Sequence, residues 1–242
     1  MKPVLITGGA GYIGSHTARE LTKEGAVVVA LDNLTTGHRD AVRAQHFYEG
    51  DIVDTALVEH IIQEHQIQSV IHFAAKSVVS ESLAKPELYF YENTVKSFLF
   101  FEAAIRAGVK HIVFSSTAAV YGIPKNTPIR EEAMLAPINP YGDSKRAIEK
   151  YLEWMGKVHG IRWVGLRYFN AAGASLDGSL GEDHRPETHL IPLNNTAPIQ
   201  SRIGPGNSLS GEISIYTKLF TFPNPTIRML KSYMPGSTLL IK

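Results

Sequence analysis

Cysteine is absent from this chain of 242 residues. That excludes a disulfide framework and any thiolate metal or redox centre. Long apolar runs are missing as well, and none approaches the ~20 residues that span a bilayer. Neither sign of charge is in excess, with 24 Lys and Arg against 23 Asp and Glu. Neither nucleic acid nor an anionic membrane is therefore indicated as a partner. The 10 histidines contain no His-x-x-x-His pair, and no metal is expected. The chain passes into an apolar strand at Pro3, so no leader is expected either. What remains is the composition of a soluble, cytoplasmic protein, 44% hydrophobic and 19% charged. Its length suits one substantial α/β domain with a small appendage.

The most informative stretch is Val4-Leu5-Ile6-Thr7-Gly8-Gly9-Ala10-Gly11-Tyr12-Ile13-Gly14. An apolar strand runs into a loop with glycine at 8, 11 and 14, and a helical pattern continues to Leu21. Gly8 suits a tight turn, Gly11 a close backbone approach to phosphate, and Gly14 close packing of helix on strand. The helix start then presents N–H groups and partial positive charge to a pyrophosphate. A glycine triplet alone is equally well a plain turn. Here a second apolar strand over residues 26–31 ends in Asp32, 18 residues past Gly14. That is close to the spacing at which an acid meets the adenosine ribose hydroxyls. An acid there repels a 2′-phosphate, so NAD is expected in preference to NADP. The spacing Gly-x-x-Gly-x-x-Gly resembles the extended short-chain dehydrogenase/reductase superfamily.

Further strands are expected at 46–49, 69–73, 111–114 and 161–166, and helices at 56–64, 86–107 and 141–158. Strands alternating with helices predict a parallel, doubly wound, Rossmann-like sheet, whose ligands sit outside the carboxyl ends of the strands. Asp32, Asp51-Ile52, Phe73-Ala74-Ala75, Thr117 and Tyr168-Phe169-Asn170 all fall at such ends.

Tyr141 and Lys145 stand four apart at the start of a helix and so share a face. Alone, that pair reads as a surface aromatic beside a solvated lysine. After a dinucleotide loop and the hydroxyl run Ser115-Ser116-Thr117, it reads as a base for an alcohol proton. Lowering a phenol from pKa ~10 to about 7 takes roughly 4 kcal/mol. One positive charge at ~5 Å, in an effective dielectric of ~20, supplies about 3 kcal/mol. Lys145 and an oxidised nicotinamide ring are the charges expected to do so.

Thr7 to Gly14, Leu31 to Leu34, Gly50-Asp51-Ile52, Ile71 to Ala75, Phe114 to Gly122, Tyr141 to Lys145 and Leu166 to Asn170 together resemble the UDP-glucose 4-epimerases. So do Gly181-Glu182-Asp183 and His189 to Pro192. The resemblance implies interconversion of UDP-galactose and UDP-glucose on tightly held NAD. Thr117, Tyr141 and Lys145 would be catalytic. Gly8, Gly11, Tyr12, Ile13, Asp32, Asn33, Asp51, Ile52, Phe73, Ala74, Asn93, Tyr141, Lys145 and Tyr168 would hold the cofactor. Thr117, Tyr141, Asn170, His189 and Leu190 would touch the UDP-sugar, and a homodimer is expected through helices 86–107 and 141–158. The lysine that some members carry after the fourth strand is out of register here: Ser77 takes that place and Lys76 is its neighbour. A 4,6-dehydratase would place Asp-Glu after the strand-five threonine, where this chain has Ala118-Ala119. An epimerase for another UDP-sugar stays open.

The resemblance stops near Leu193. Residues 194–242 carry Arg202, Lys218, Arg228, Lys231 and Lys242 against Glu212 alone. They show no period of helix or strand, and no counterpart of most of the family's C-terminal substrate domain. The expected division is an NAD-binding domain over 1–193 and a divergent tail over 194–242. A truncated, catalytically silent NAD-binding domain is the competing expectation.

Overall fold

The computed structural model describes residues 3–171, 173–175 and 177–183. His189, Leu190 and the tail expected over 194–242 lie outside the described residues.

Strands β1 (Val4–Thr7), β2 (Val28–Asp32), β3 (His46–Glu49), β4 (Ser69–His72), β5 (His111–Thr117) and β6 (Arg162–Tyr168) form one parallel sheet in the order β3-β2-β1-β4-β5-β6. This is the doubly wound order, and its direction reverses between β1 and β4. Helices α1 (Tyr12–Lys23), α2 (Thr55–Glu64), α3 (Val79–Ala84), α4 (Pro86–Tyr89), α5 (Lys96–Arg106) and α6 (Pro140–His159) complete the described fold.

Alternation along the strands divides the core in two. Leu5, Val29, Leu31, Ile112 and Phe114 pack with Ile61 of α2, Phe100 and Phe101 of α5, and Ile148 and Leu152 of α6. Val4, Ile6, Val28, Ile71 and Val113 pack with Ala18 and Leu21 of α1. Both faces being covered explains why the central strands read as continuous apolar runs.

Several elements differ from their sequence expectation. The helix expected over 86–107 is interrupted by a π-helical turn, Phe90–Val95, between α4 and α5. Strand β5 continues past Phe114 through Ser115, Ser116 and Thr117, which pair with Leu166, Arg167 and Tyr168 of β6. Their polar side chains break the apolar pattern while the backbone ladder continues. Helix α3 is short and exposes Val79 and Leu83, so it has no apolar stripe to betray it. Helix α6 begins one residue early, with Pro140 in its first turn and the Asn139 side chain accepting the Gly142 N–H at 2.8 Å.

Candidate active site

The switch between β1 and β4 opens a crevice of about 610 Å³ above the carboxyl ends of the strands. At one end lies the glycine loop. Gly8 has φ +70°, and a Cβ there would lie 2.7 Å from the Ala74 backbone nitrogen. A Cβ on Gly14 would lie 2.0 Å from the Gly8 carbonyl oxygen. Gly11 is different: a Cβ there would meet only the Gly8 oxygen, at 3.4 Å. Space is left on its crevice side, and Gly11 is the N-cap of α1 with no side chain to satisfy the first N–H groups. That cradle fits a diphosphate.

Asp32, at the end of β2, is buried. One carboxylate oxygen accepts the Ala10 N–H at 2.9 Å and the other the Leu34 N–H at 2.8 Å. Asp51 accepts hydrogen bonds from Asn33 at 2.8 Å and from Lys96 at 2.9 Å. Burial works to raise its carboxyl, but these bonds and the Val53 N–H outweigh it and hold it below the usual range.

The other end is built where β5, β6 and α6 meet. Tyr141 hydrogen-bonds Thr117, the last residue of β5. Lys145, one turn along α6, is 2% exposed and donates to the Ser115 carbonyl at 2.9 Å. Its nitrogen sits 5.1 Å from the centre of the Phe114 ring. Burial without a countercharge pulls the amine down to about 7. Burial pushes the Tyr141 phenol up, and the Thr117 hydrogen bond offsets this only in part. The same burial that brings the two groups together weakens the lysine's charge and disfavours the phenolate.

Thr117, Tyr141 and Lys145 share the crevice with Gly8, Gly11, Tyr12, Ile13, Asp32, Asn33, Asp51, Ile52, Phe73, Ala74, Tyr168 and Asn170. Lys76 and Ser77 line it too. Asn93 is set apart. It is fully buried on the π-helical turn, where its amide accepts the Lys76 N–H at 2.8 Å and donates to the Lys76 carbonyl at 3.0 Å and the Ser144 hydroxyl at 3.1 Å. All of these bonds run to protein, so Asn93 ties the loop after β4 to α6 and does not line the crevice. Sequence reasoning missed Lys96 and Glu92, which line the crevice and pair with each other at 2.9 Å. Their i, i+4 spacing was the available signal, but it reads as an ordinary solvated helix face.

Among the described residues the Tyr168 hydroxyl, buried on the wall of the crevice, has no hydrogen-bond partner. A buried orphan hydroxyl is costly unless something else meets it. Burial, and then the neighbouring Tyr141, push this phenol far up.

The family described as the NAD dependent epimerase/dehydratase family matches residues 4–197. The chain belongs to that family. It is 56% identical over 190 residues to the UDP-glucose 4-epimerase of Lactobacillus helveticus, and the match covers 78% of this chain and 58% of the relative. The UDP-glucose 4-epimerase of Streptococcus mutans is 51% identical over 193 residues, with the same coverage. Among solved structures, the UDP-glucose 4-epimerase of Brucella ovis in complex with NAD superposes with TM-score 0.78 at 45% identity, over 80% of this chain and 59% of that one. The enzyme of Bifidobacterium longum in complex with NAD+ and UDP gives 0.72 at 38% identity, over 76% and 58%. The chain thus spans about 58% of the length of the curated relatives it matches. The two signatures that indicate membership, the glycine loop and Tyr-x-x-x-Lys, are the two ends of this family member's crevice. No helix among the described residues is long and apolar enough to cross a membrane.

Proposed function

We propose that this chain binds NAD and carries the proton-transfer apparatus of a UDP-glucose 4-epimerase. The observation that carries the reading is the Tyr141–Thr117 hydrogen bond beside Lys145, in the crevice that begins at the glycine loop. The open space at Gly11, the uncapped start of α1, the backbone-fixed Asp32 and the orphan Tyr168 hydroxyl fit the dinucleotide. When bound, NAD supplies a two-electron acceptor that takes the sugar C4 hydride and returns it to the other face.

The chain supplies the rest. Thr117 holds the sugar 4-hydroxyl against Tyr141. Tyr141 takes its proton as the C4–H bond breaks and gives it back as that bond re-forms, so no net oxidation results. Lys145, lowered toward neutrality by burial, gains charge readily when an acceptor comes near and then favours the phenolate. Asn170 meets the sugar nucleotide, and His189 and Leu190 extend that contact beyond the described residues. The proposed NAD domain ends near residue 193, its location is cytoplasmic, and UDP-galactose and UDP-glucose are its substrates. A homodimer would cover the exposed Phe90, Tyr91, Leu99, Trp154 and Val158 on the outer helices.

A second reading is favoured by one observation, the 58% coverage of the relatives' length. In it, the chain holds NAD without turning over sugar, because the remote contacts that orient the substrate belong to the part of the relatives it does not match. NAD released on denaturation, and conversion of UDP-galactose with and without Tyr141→Phe, separate the two. The epimerase reading expects NAD in both proteins and a fall in conversion of roughly 100-fold or more in the variant. NAD without Tyr141-dependent conversion selects the silent domain. Protein that retains no NAD overturns both.

A further inference from the structure

Behind the reacting groups lies a buried ion pair that the proposed chemistry does not use. Glu149, 1% exposed, follows Lys145 by four residues on α6, so the two project from one helical face. One carboxylate oxygen accepts the Ser116 hydroxyl at 2.6 Å and Arg167 Nε at 2.9 Å. The other accepts Arg167 Nη2 at 2.9 Å and Arg146 Nη1 at 3.3 Å. Arg167 uses Nη1 to reach the Tyr121 hydroxyl at 2.8 Å and lies 4.9 Å over that ring.

Every anchor of this pair adjoins a functional group. Ser116 stands between Ser115, whose carbonyl holds Lys145, and Thr117, which bonds Tyr141. Arg167 is the register partner of Ser116, and the next pair along the ladder is Thr117 with Tyr168. Tyr121 ends the short 3-10 turn that Thr117 caps. A buried ion pair adds little stability over apolar packing of the same volume. What a two-pronged guanidinium–carboxylate fork adds is direction: an apolar contact slides, and a fork does not.

We propose that Glu149 and Arg167 are positioning residues whose fork fixes α6 against the ends of β5 and β6, keeping Tyr141 and Lys145 in register with Thr117. The proposal rests on the reading of Tyr141 and Lys145 as the reacting pair. Its test needs neither cofactor nor sugar, so the two ideas fail separately.

The readout is the amine of Lys145, followed by NMR in the full chain labelled with carbon-13 at lysine Cε and assigned by its loss in Lys145→Met. His72, which feels the Lys145 charge, is held near 3 by burial and so stays neutral across the titration. In the double variant Glu149→Met with Arg167→Met the two most buried charges leave together, and Arg146, a third exposed, can turn to solvent, so the melting temperature should stay within a few degrees of the wild type. With the fork gone, water reaches the amine and its midpoint should rise by about one pH unit or more. A folded double variant with an unmoved midpoint shows that the pair is structural only and overturns the proposal. Should the double variant fail to fold, Ser116→Ala decides. Losing one anchor should raise the midpoint by about half a unit, and no movement there overturns the proposal equally.

Discussion

The two ends of the crevice are made in opposite ways. The glycine-loop end is made largely of backbone: it works because side chains are missing at Gly8, Gly11 and Gly14, and Asp32 is held by two backbone N–H groups. The Tyr141 end is made of side chains drawn from β5, β6 and α6, with an amine buried against its own electrostatic interest. The first end is a matter of steric room, the second of charge in a dry place. Substitutions should therefore act through the fold at one end and through protonation at the other.

The largest effect should separate two glycines of the same loop. A Cβ on Gly14 would lie 2.0 Å from a backbone oxygen that cannot swing away, so Gly14→Ala must shift strand or helix. We expect it to cost more than about 4 kcal/mol of stability, in the range kept for steric failures of a core. Gly11→Ala meets only one oxygen at 3.4 Å. It should leave the melting temperature of the cofactor-free protein within a few degrees while weakening NAD binding at least tenfold, because the methyl group fills the phosphate cradle. Calorimetry with and without NAD measures both. Equal thermal losses in the two variants would show that Gly11 is a folding residue and not a ligand-binding one.

A smaller but pH-dependent effect belongs to the other end. The Lys145 amine is held at about 7 in the folded chain, against ~10.4 in an unfolded one. Between those values the unfolded chain binds a proton that the folded chain has given up. Stability should then rise with pH across that window, and below it the full penalty is present. Its size is on the order of 4 kcal/mol. Lys145→Met should raise the melting temperature most at pH 6 and lose the advantage toward pH 10. If the difference between the two proteins is flat in pH, the amine is not buried in its neutral form.

How much of this was legible follows the same division. The parallel sheet and the glycine loop could be read from sequence because their signals are local: an apolar run, a glycine spacing, an acid after the next strand. Thr117, Tyr141 and Lys145 were legible as residue types at a spacing, but their protonation was not. Charge proximity suggests a primed phenol, whereas burial, which a linear sequence does not display, acts on both groups the other way. The surroundings of Asn93 were hidden for a related reason. Its role depends on a π-helical turn that points it at the Lys76 backbone and Ser144. The Glu149–Arg167 fork joins residues 18 apart, and nothing in the helix or strand pattern around either one announces it.

The smallest expected effect tests whether the backbone end is as ligand-independent as it looks. Asp32 is legible from sequence as a ribose acid, yet both its oxygens already accept N–H groups of the loop, from Ala10 and Leu34. Asp32→Asn keeps one acceptor but sets an amide N–H₂ against one of those donors. Leaving a buried donor unpaired costs about 1–3 kcal/mol. The melting temperature should therefore fall with no cofactor present, by roughly 3–10 °C for a domain of this size. Were Asp32 only a ligand contact, the cofactor-free melt would not move and the whole loss would appear in NAD affinity. An acid that serves the loop first and the ribose second would explain why the crevice keeps its shape before anything enters it.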